Sequence, residues 1–217
     1  MIKTWLSLFG FSLAFGYWIY QFLDANPDAF GMQFRFLTHW GLSLAMVMHF
    51  LNWRSRRQGL PDQRPALMAM VAILNILVVF LYWRLYFIDP ALVNGDKTPI
   101  WHQEYYLHLL GPAILVIDAI WFYRAFAAFW RGAIATILLC SVYVLWIELL
   151  VQPLNSEPIG TISAGFPYPF LNDMVMAERL NFYAVTTSTA LGFYLICWII
   201  SIISCWITRH QFKAHQN

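Results

Sequence analysis

Residues 66–88 read ALMAMVAILNILVVFLYWRLYFI, with a single arginine and no acidic side chain. An α-helix rises about 1.5 Å per residue, so roughly 20 residues of this kind cross the hydrocarbon core of a bilayer. Ahead of Tyr82 the only polar side chain in the run is Asn75. A soluble amphipathic helix would carry a whole polar face instead. This stretch therefore predicts a membrane-spanning helix. Outward from it, runs of similar length and low charge predict further spans at about 4–23, 34–53, 104–128, 131–151 and 180–208. The expected fold is all-α, a polytopic bundle of six transmembrane helices.

Composition supports that reading. The 217 residues are 60% hydrophobic and 11% charged, with mean hydropathy +0.58, whereas soluble proteins average roughly 25% charged residues. That leaves too few ionisable groups to solvate a globular surface. The net charge of +2 is scattered among apolar runs, so no nucleic-acid partner is implied. Cys140, Cys197 and Cys205 sit in apolar stretches without a CxxC pair or disulfide framework and read as packing residues.

The first run follows Met1-Ile2-Lys3, a possible opening for a secretory signal. It has no charge over 4–23 and no small-x-small cleavage site, so it is expected to stay as an anchor. The connections 24–33, 54–65, 89–103, 124–131 and 152–178 are too short for separate domains, and no internal repeat is present. Residues 1–217 are expected to form a single integral-membrane domain.

Alternation of six spans puts Lys3, Arg54, Arg56, Arg57, Arg64, Arg124, Arg131, Arg209 and Lys213 on one side. Only Arg35, Lys97 and Arg179 fall on the other, with Arg84 just inside the membrane. Positive loops stay cytoplasmic. Both termini are expected there, with loops 24–33, 89–103 and 152–178 outside; if the cell is bacterial, the membrane is the plasma or inner membrane.

Ionisable side chains within spans are costly and mark functional sites by default. Thr38 and His39 open the second span, Arg84 ends the third, Glu104 and His108 begin the fourth and Glu148 nears the end of the fifth. All lie within roughly 6 Å of the outer boundary by helical rise, so they can share one polar pocket. Deeper, His49 and Asp118 fall about 15 Å below Thr38 and His108 and are expected to pair as a structural clamp between the second and fourth spans.

Pro112 lacks an N–H, so the carbonyl of His108 loses its helical partner and the helix is expected to bend there. In a bilayer that carbonyl needs another donor. A threonine in a membrane helix ordinarily bonds a carbonyl one turn earlier. Beside a base at matched depth, its hydroxyl becomes a candidate nucleophile, and His108 is that base.

At these residues the chain resembles a known family. Phe34-Arg35-Phe36-Leu37-Thr38, then Leu107-His108 with Pro112 and Asp118, then Tyr143-Val144-Leu145-Trp146, then Pro167-Tyr168-Pro169-Phe170-Leu171 resemble, in that order, the androgen-induced and androgen-dependent TFPI-regulating membrane protein family and its bacterial relatives. The resemblance implies a multi-pass threonine-type hydrolase, with Thr38 and His108 as the catalytic pair. Its animal members cleave fatty acid esters of hydroxy fatty acids. Gln103–Tyr106 and a longer loop before Pro167 depart from the animal pattern.

The expected activity is hydrolysis of a membrane lipid ester without metal or other cofactor, since the histidines lack zinc spacing. Glu104, Glu148 or His39 would orient the base, and Arg84 would hold an acyl carboxylate. Two other classes fit the same residues: an electron carrier with haem on His39 or His108, and a non-enzymatic lipid-binding or structural protein whose polar layers join helices. Trp101, Tyr105, Tyr106, Trp121, Trp146 and Tyr168 near span ends read mainly as interfacial belts. Residues 167–171 are expected to be a rigid connection, or a cap on the outer pocket.

Overall fold

Inside a bilayer a backbone must satisfy its own N–H and C=O groups, which is why uninterrupted apolar runs become helices. The computed structural model describes residues 1–23, 25–61, 63–94, 98–157 and 164–214, the last six as backbone only. All regular structure among them is helical. Six long helices follow in chain order: α1 Ile2–Leu23, α2 Leu37–Arg57, α3 Pro65–Ile88, α4 Trp101–Tyr123, α5 Phe129–Leu154 and α6 Met176–Ala214.

Five of these, all but α2, are long and apolar enough to cross a membrane, so this is a multi-pass integral membrane protein. The 21-residue α2 has the length but carries His39, His49, Asn52, Arg54, Arg56 and Arg57. Its polar load distinguishes it from the other long helices, and that load is what builds the interior contacts described below.

Local chemistry sets the ends. Pro65 occupies the first turn of α3, where its missing N–H is no loss. At the start of α6 the Glu178 carboxylate accepts the Val175 N–H at 3.0 Å, closing the first turn. The fourth span ends at Tyr123, five residues before the expected 128, because Arg124 turns left-handed with φ 55° and a 3₁₀ turn follows at Ala125–Ala127. A helix cannot continue through that backbone geometry.

Helix α3 forms the centre. Met68, Ala69, Val71, Ala72 and Ile73 are fully buried, in one cluster with Leu115 and Ala119 of α4 and Ala190 and Tyr194 of α6. Helix α1 is peripheral and meets α2 through a close approach at Gly10. A Cβ there would stand 2.6 Å from His49 Cε1. Gly10→Val should therefore overpack the α1–α2 contact and cost about 1–3 kcal/mol, read as a lowered unfolding temperature in detergent. An unchanged temperature would contradict this reading of the contact.

The expected His49–Asp118 clamp is corrected by the structure. The Asp118 carboxylate is held in bidentate fashion by Arg56, at 2.9 and 2.7 Å, and by Asn52 Nδ2 at 3.3 Å. Arg56 Nη1 also donates to Ser7 Oγ at 2.7 Å and to the Lys3 carbonyl at 3.0 Å. Three helices, α1, α2 and α4, are tied there through one guanidinium. His49 instead lies buried against Gly10, its Nδ1 without a hydrogen-bond partner among the described residues. A buried carboxylate is matched best by a permanently charged planar fork, which an imidazole is not.

Candidate active site

The chain enters α2 through a 3₁₀ turn at Met32–Arg35 and an extended Phe36, so Thr38 falls in the first turn of the helix. Gly31, at φ 80°, permits the left-handed step before that turn. The Phe34 carbonyl, one turn before Thr38, accepts the indole N–H of Trp40 at 2.8 Å and of Trp146 at 3.0 Å. Two tryptophans thus occupy the acceptor that a helical threonine ordinarily uses. The Thr38 hydroxyl meets His108 Nε2 at 3.3 Å.

His108 sits where α4 is distorted. Tyr106–Leu110 form a π-turn, and His108 itself has φ −114°, ψ 17°. Pro112 removes the donor expected by the His108 carbonyl, and the Trp83 indole N–H supplies one at 2.8 Å. Its neighbour Tyr82 lies flat on the imidazole, with centroids 3.6 Å apart and planes 3° from parallel. Adjacent residues of α3 therefore fix both the ring and the carbonyl of one histidine.

Glu104, one turn earlier on α4, brings Oε2 to 3.0 Å from His108 Nδ1. The distance is that of a hydrogen bond, while the ring N–H points off the line to the oxygen, so the contact is chiefly electrostatic. Both side chains are buried. A carboxylate beside Nδ1 favours the tautomer protonated there and leaves the Nε2 lone pair facing the threonine hydroxyl.

These groups line a cavity of about 790 Å³, within the roughly 300–1,000 Å³ range of small-molecule sites. Asn26, Gln33, Asn94, Thr98 and Gln103 line its mouth from loops and helix ends, while Leu74, Leu77 and Leu139, with Cys140, Thr186 and Thr187, line it from within the helices. Along α3 the lining runs from Leu85 to Leu74, about 16 Å by helical rise. Pro167 to Leu171 contribute to the wall, and the Leu37 N–H donates to the Tyr168 hydroxyl at 3.2 Å. That segment forms part of the cavity wall beside the start of α2.

The remaining expected residues separate. Glu148 is tied to Arg179 at 2.9 Å and accepts from the Tyr183 hydroxyl at 2.8 Å, joining α5 to α6, so that Glu104 is the carboxylate beside His108. Arg84 is exposed and lies outside the cavity lining, which corrects its expected role as an acyl-carboxylate holder. His39 lines the cavity, but its ring is packed among Trp18, Phe22 and Phe34, with centroids 4.7 to 5.9 Å away. The cation that does line the cavity is Arg35, which counts among the outer-side charges and stands in the Phe34–Thr38 motif but was not expected at the site. The signal for it was its place three residues before Thr38.

Among the described residues, no cluster of three or more His, Cys, Asp or Glu side chains is arranged to hold a metal ion. The model of FAR-17a/AIG1-like proteins matches residues 3–201. The chain belongs to the FAR-17a/AIG1-like family. The match takes in α1 to α5 and most of α6, and it agrees with the family that the ordered motifs from Phe34 to Leu171 resemble. No curated protein and no solved structure matches the chain.

Proposed function

We propose that this FAR-17a/AIG1-like protein is an intramembrane hydrolase of lipid esters, with Thr38 as nucleophile and His108 as base. One observation carries the reading: a hydroxyl, an imidazole and a carboxylate from α2 and α4 follow one another at 3.3 and 3.0 Å inside a cavity with polar residues at its mouth and leucines of α3 and α5 in its walls. A lipid's chains fit against those leucines while its ester meets water near the mouth.

His108 Nε2 takes the Thr38 hydroxyl proton as the oxygen attacks the ester carbonyl, forming a tetrahedral oxyanion. The first-turn position of Thr38 puts that oxyanion in the positive field of the α2 N-terminus. Collapse breaks the ester C–O bond, and His108 returns the proton to the departing alcohol. Water then attacks the acyl-threonine, giving His108 a proton that passes back to Thr38 as the acid leaves. Glu104 stabilises the imidazolium formed in each half. No step calls on a metal or a cofactor.

Helix α2 is the sixth crossing in this account, since it is buried among α1, α3 and α4 and its 21 residues rise about 31 Å. Arg54, Arg56 and Arg57 at its end, with Arg64 and Arg124 nearby, give that side the cytoplasmic charge signature and turn the cavity mouth outward. The substrate is then a lipid of the outer leaflet; fatty acid esters of hydroxy fatty acids are the first to try.

The test is turnover of a panel of long-chain esters by purified protein in detergent. The account expects release of free acid and loss of activity as acidification protonates the base. Glu104→Gln should keep the fold and lower kcat by ~10²-fold or more. No turnover of any ester, or a Glu104→Gln protein as active as wild type, would count against the assignment.

A further inference from the structure

Arg35 is the least explained charge in the molecule. Its side chain is among the largest fully buried ones, at 2% exposure, and it lines the cavity. Nε and Nη1 have no hydrogen-bond partner among the described residues. A guanidinium stays protonated at any accessible pH, so burial cannot neutralise it. A buried charge without a counter-charge is strongly disfavoured in a low-dielectric interior.

The fold nonetheless builds this position. Gly31 makes room for the stem, since a Cβ there would lie 3.1 Å from Arg35 Cγ. The Tyr143 hydroxyl fixes the backbone by donating to the Arg35 carbonyl at 2.8 Å, and Phe36 presents its ring 5.5 Å from the guanidinium carbon. Glu104 is the one acidic residue among those described that line the cavity, and its carboxylate is engaged with His108. The start of α2, two residues on, adds positive potential to the same wall.

We infer that Arg35 is a substrate-binding residue that receives an oxyanionic group, carboxylate or phosphate, carried by the lipid apart from its scissile ester. The planar fork suits either group through paired N–H···O bonds. The anion supplies the missing counter-charge, so a ligand bearing one binds far better than its neutral counterpart. Arg35 acts in recognition and leaves the bond chemistry to Thr38 and His108. The inference rests on the hydrolase reading only in naming the ligand as substrate, and its test needs no turnover.

The experiment titrates purified protein in detergent with a long-chain fatty acid, an alkyl phosphate of equal length and the fatty acid methyl ester, reading apparent Kd from thermal shift. In wild type and in Thr38→Ala at least one anionic ligand should bind about ten-fold or more tightly than the ester. Whichever anion wins identifies the group. Arg35→Gln should erase the preference and Arg35→Lys should shrink it. Equal affinity for all three ligands in wild type, or an undiminished preference in either arginine variant, overturns the inference. If anion binding survives while no ester is ever hydrolysed, the hydrolase reading falls and the Arg35 site stands.

Discussion

Thr38→Ala protein should release no measurable acid from a lipid ester that wild type hydrolyses, a fall in kcat of ~10³-fold or more. His108→Ala should fall as far, and the double variant no further, because nucleophile and base act as a unit. The fold should survive both. Among the described residues the Thr38 hydroxyl makes its one hydrogen-bond contact with His108, at 3.3 Å, while the neighbouring Phe34 carbonyl is already held by two indoles. Removing the hydroxyl therefore takes away chemistry and little packing. Unfolding temperatures within a few degrees of wild type would separate this outcome from collapse of the bundle, and residual turnover in Thr38→Ala would end the nucleophile assignment.

The largest effect on stability is expected at the other end of α2 and α4. Asp118 and Arg56 pair with side-chain exposures of 0% and 1%, and Arg56 also reaches Ser7 and the Lys3 carbonyl. Asp118→Ala deprives a buried guanidinium of its main counter-charge and should cost about 3–5 kcal/mol. The paired substitution Arg56→Met with Asp118→Leu should recover most of that loss, since it removes both desolvated charges and keeps their volume. Thermal unfolding in detergent measures both variants. A single variant as stable as wild type, or a double variant worse than the single, would show that the pair is not the clamp described.

Much of the architecture was legible in hydropathy, because a bilayer leaves few alternatives to an apolar run of span length. Helix ends were less so. Arg124 adopts φ 55° and stops α4 at Tyr123, although the residues on either side are as apolar as any in the span. Equal depth allowed Thr38 and His108 to share a pocket, but spacing left the carboxylate open between Glu104 and Glu148; Pro112 correctly marked the His108 carbonyl as needing a donor. That Trp83 would provide it lay beyond helical arithmetic, since the direction each helix faces is set by packing.

Depth arithmetic also misled once. It set Asp118 beside His49, yet Arg56, seven residues further along α2, takes the carboxylate. Cα–Cβ bonds tilt towards the helix N-terminus, so a long arginine stem reaches back by about a turn. Arg35 escaped notice for a related reason. Charge counting treats an arginine at the very start of a span as reaching the solvated interface, whereas the 3₁₀ turn and Gly31 fold this one inward.

The central claim is that the Thr38 oxygen is the nucleophile, and the measurement that tests it most directly is mass-spectrometric mapping of the site labelled by a fluorophosphonate carrying a long alkyl chain. The account predicts one adduct, on Thr38, absent from Thr38→Ala and strongly reduced in His108→Ala. An adduct on another residue, or undiminished labelling of Thr38→Ala, would contradict it.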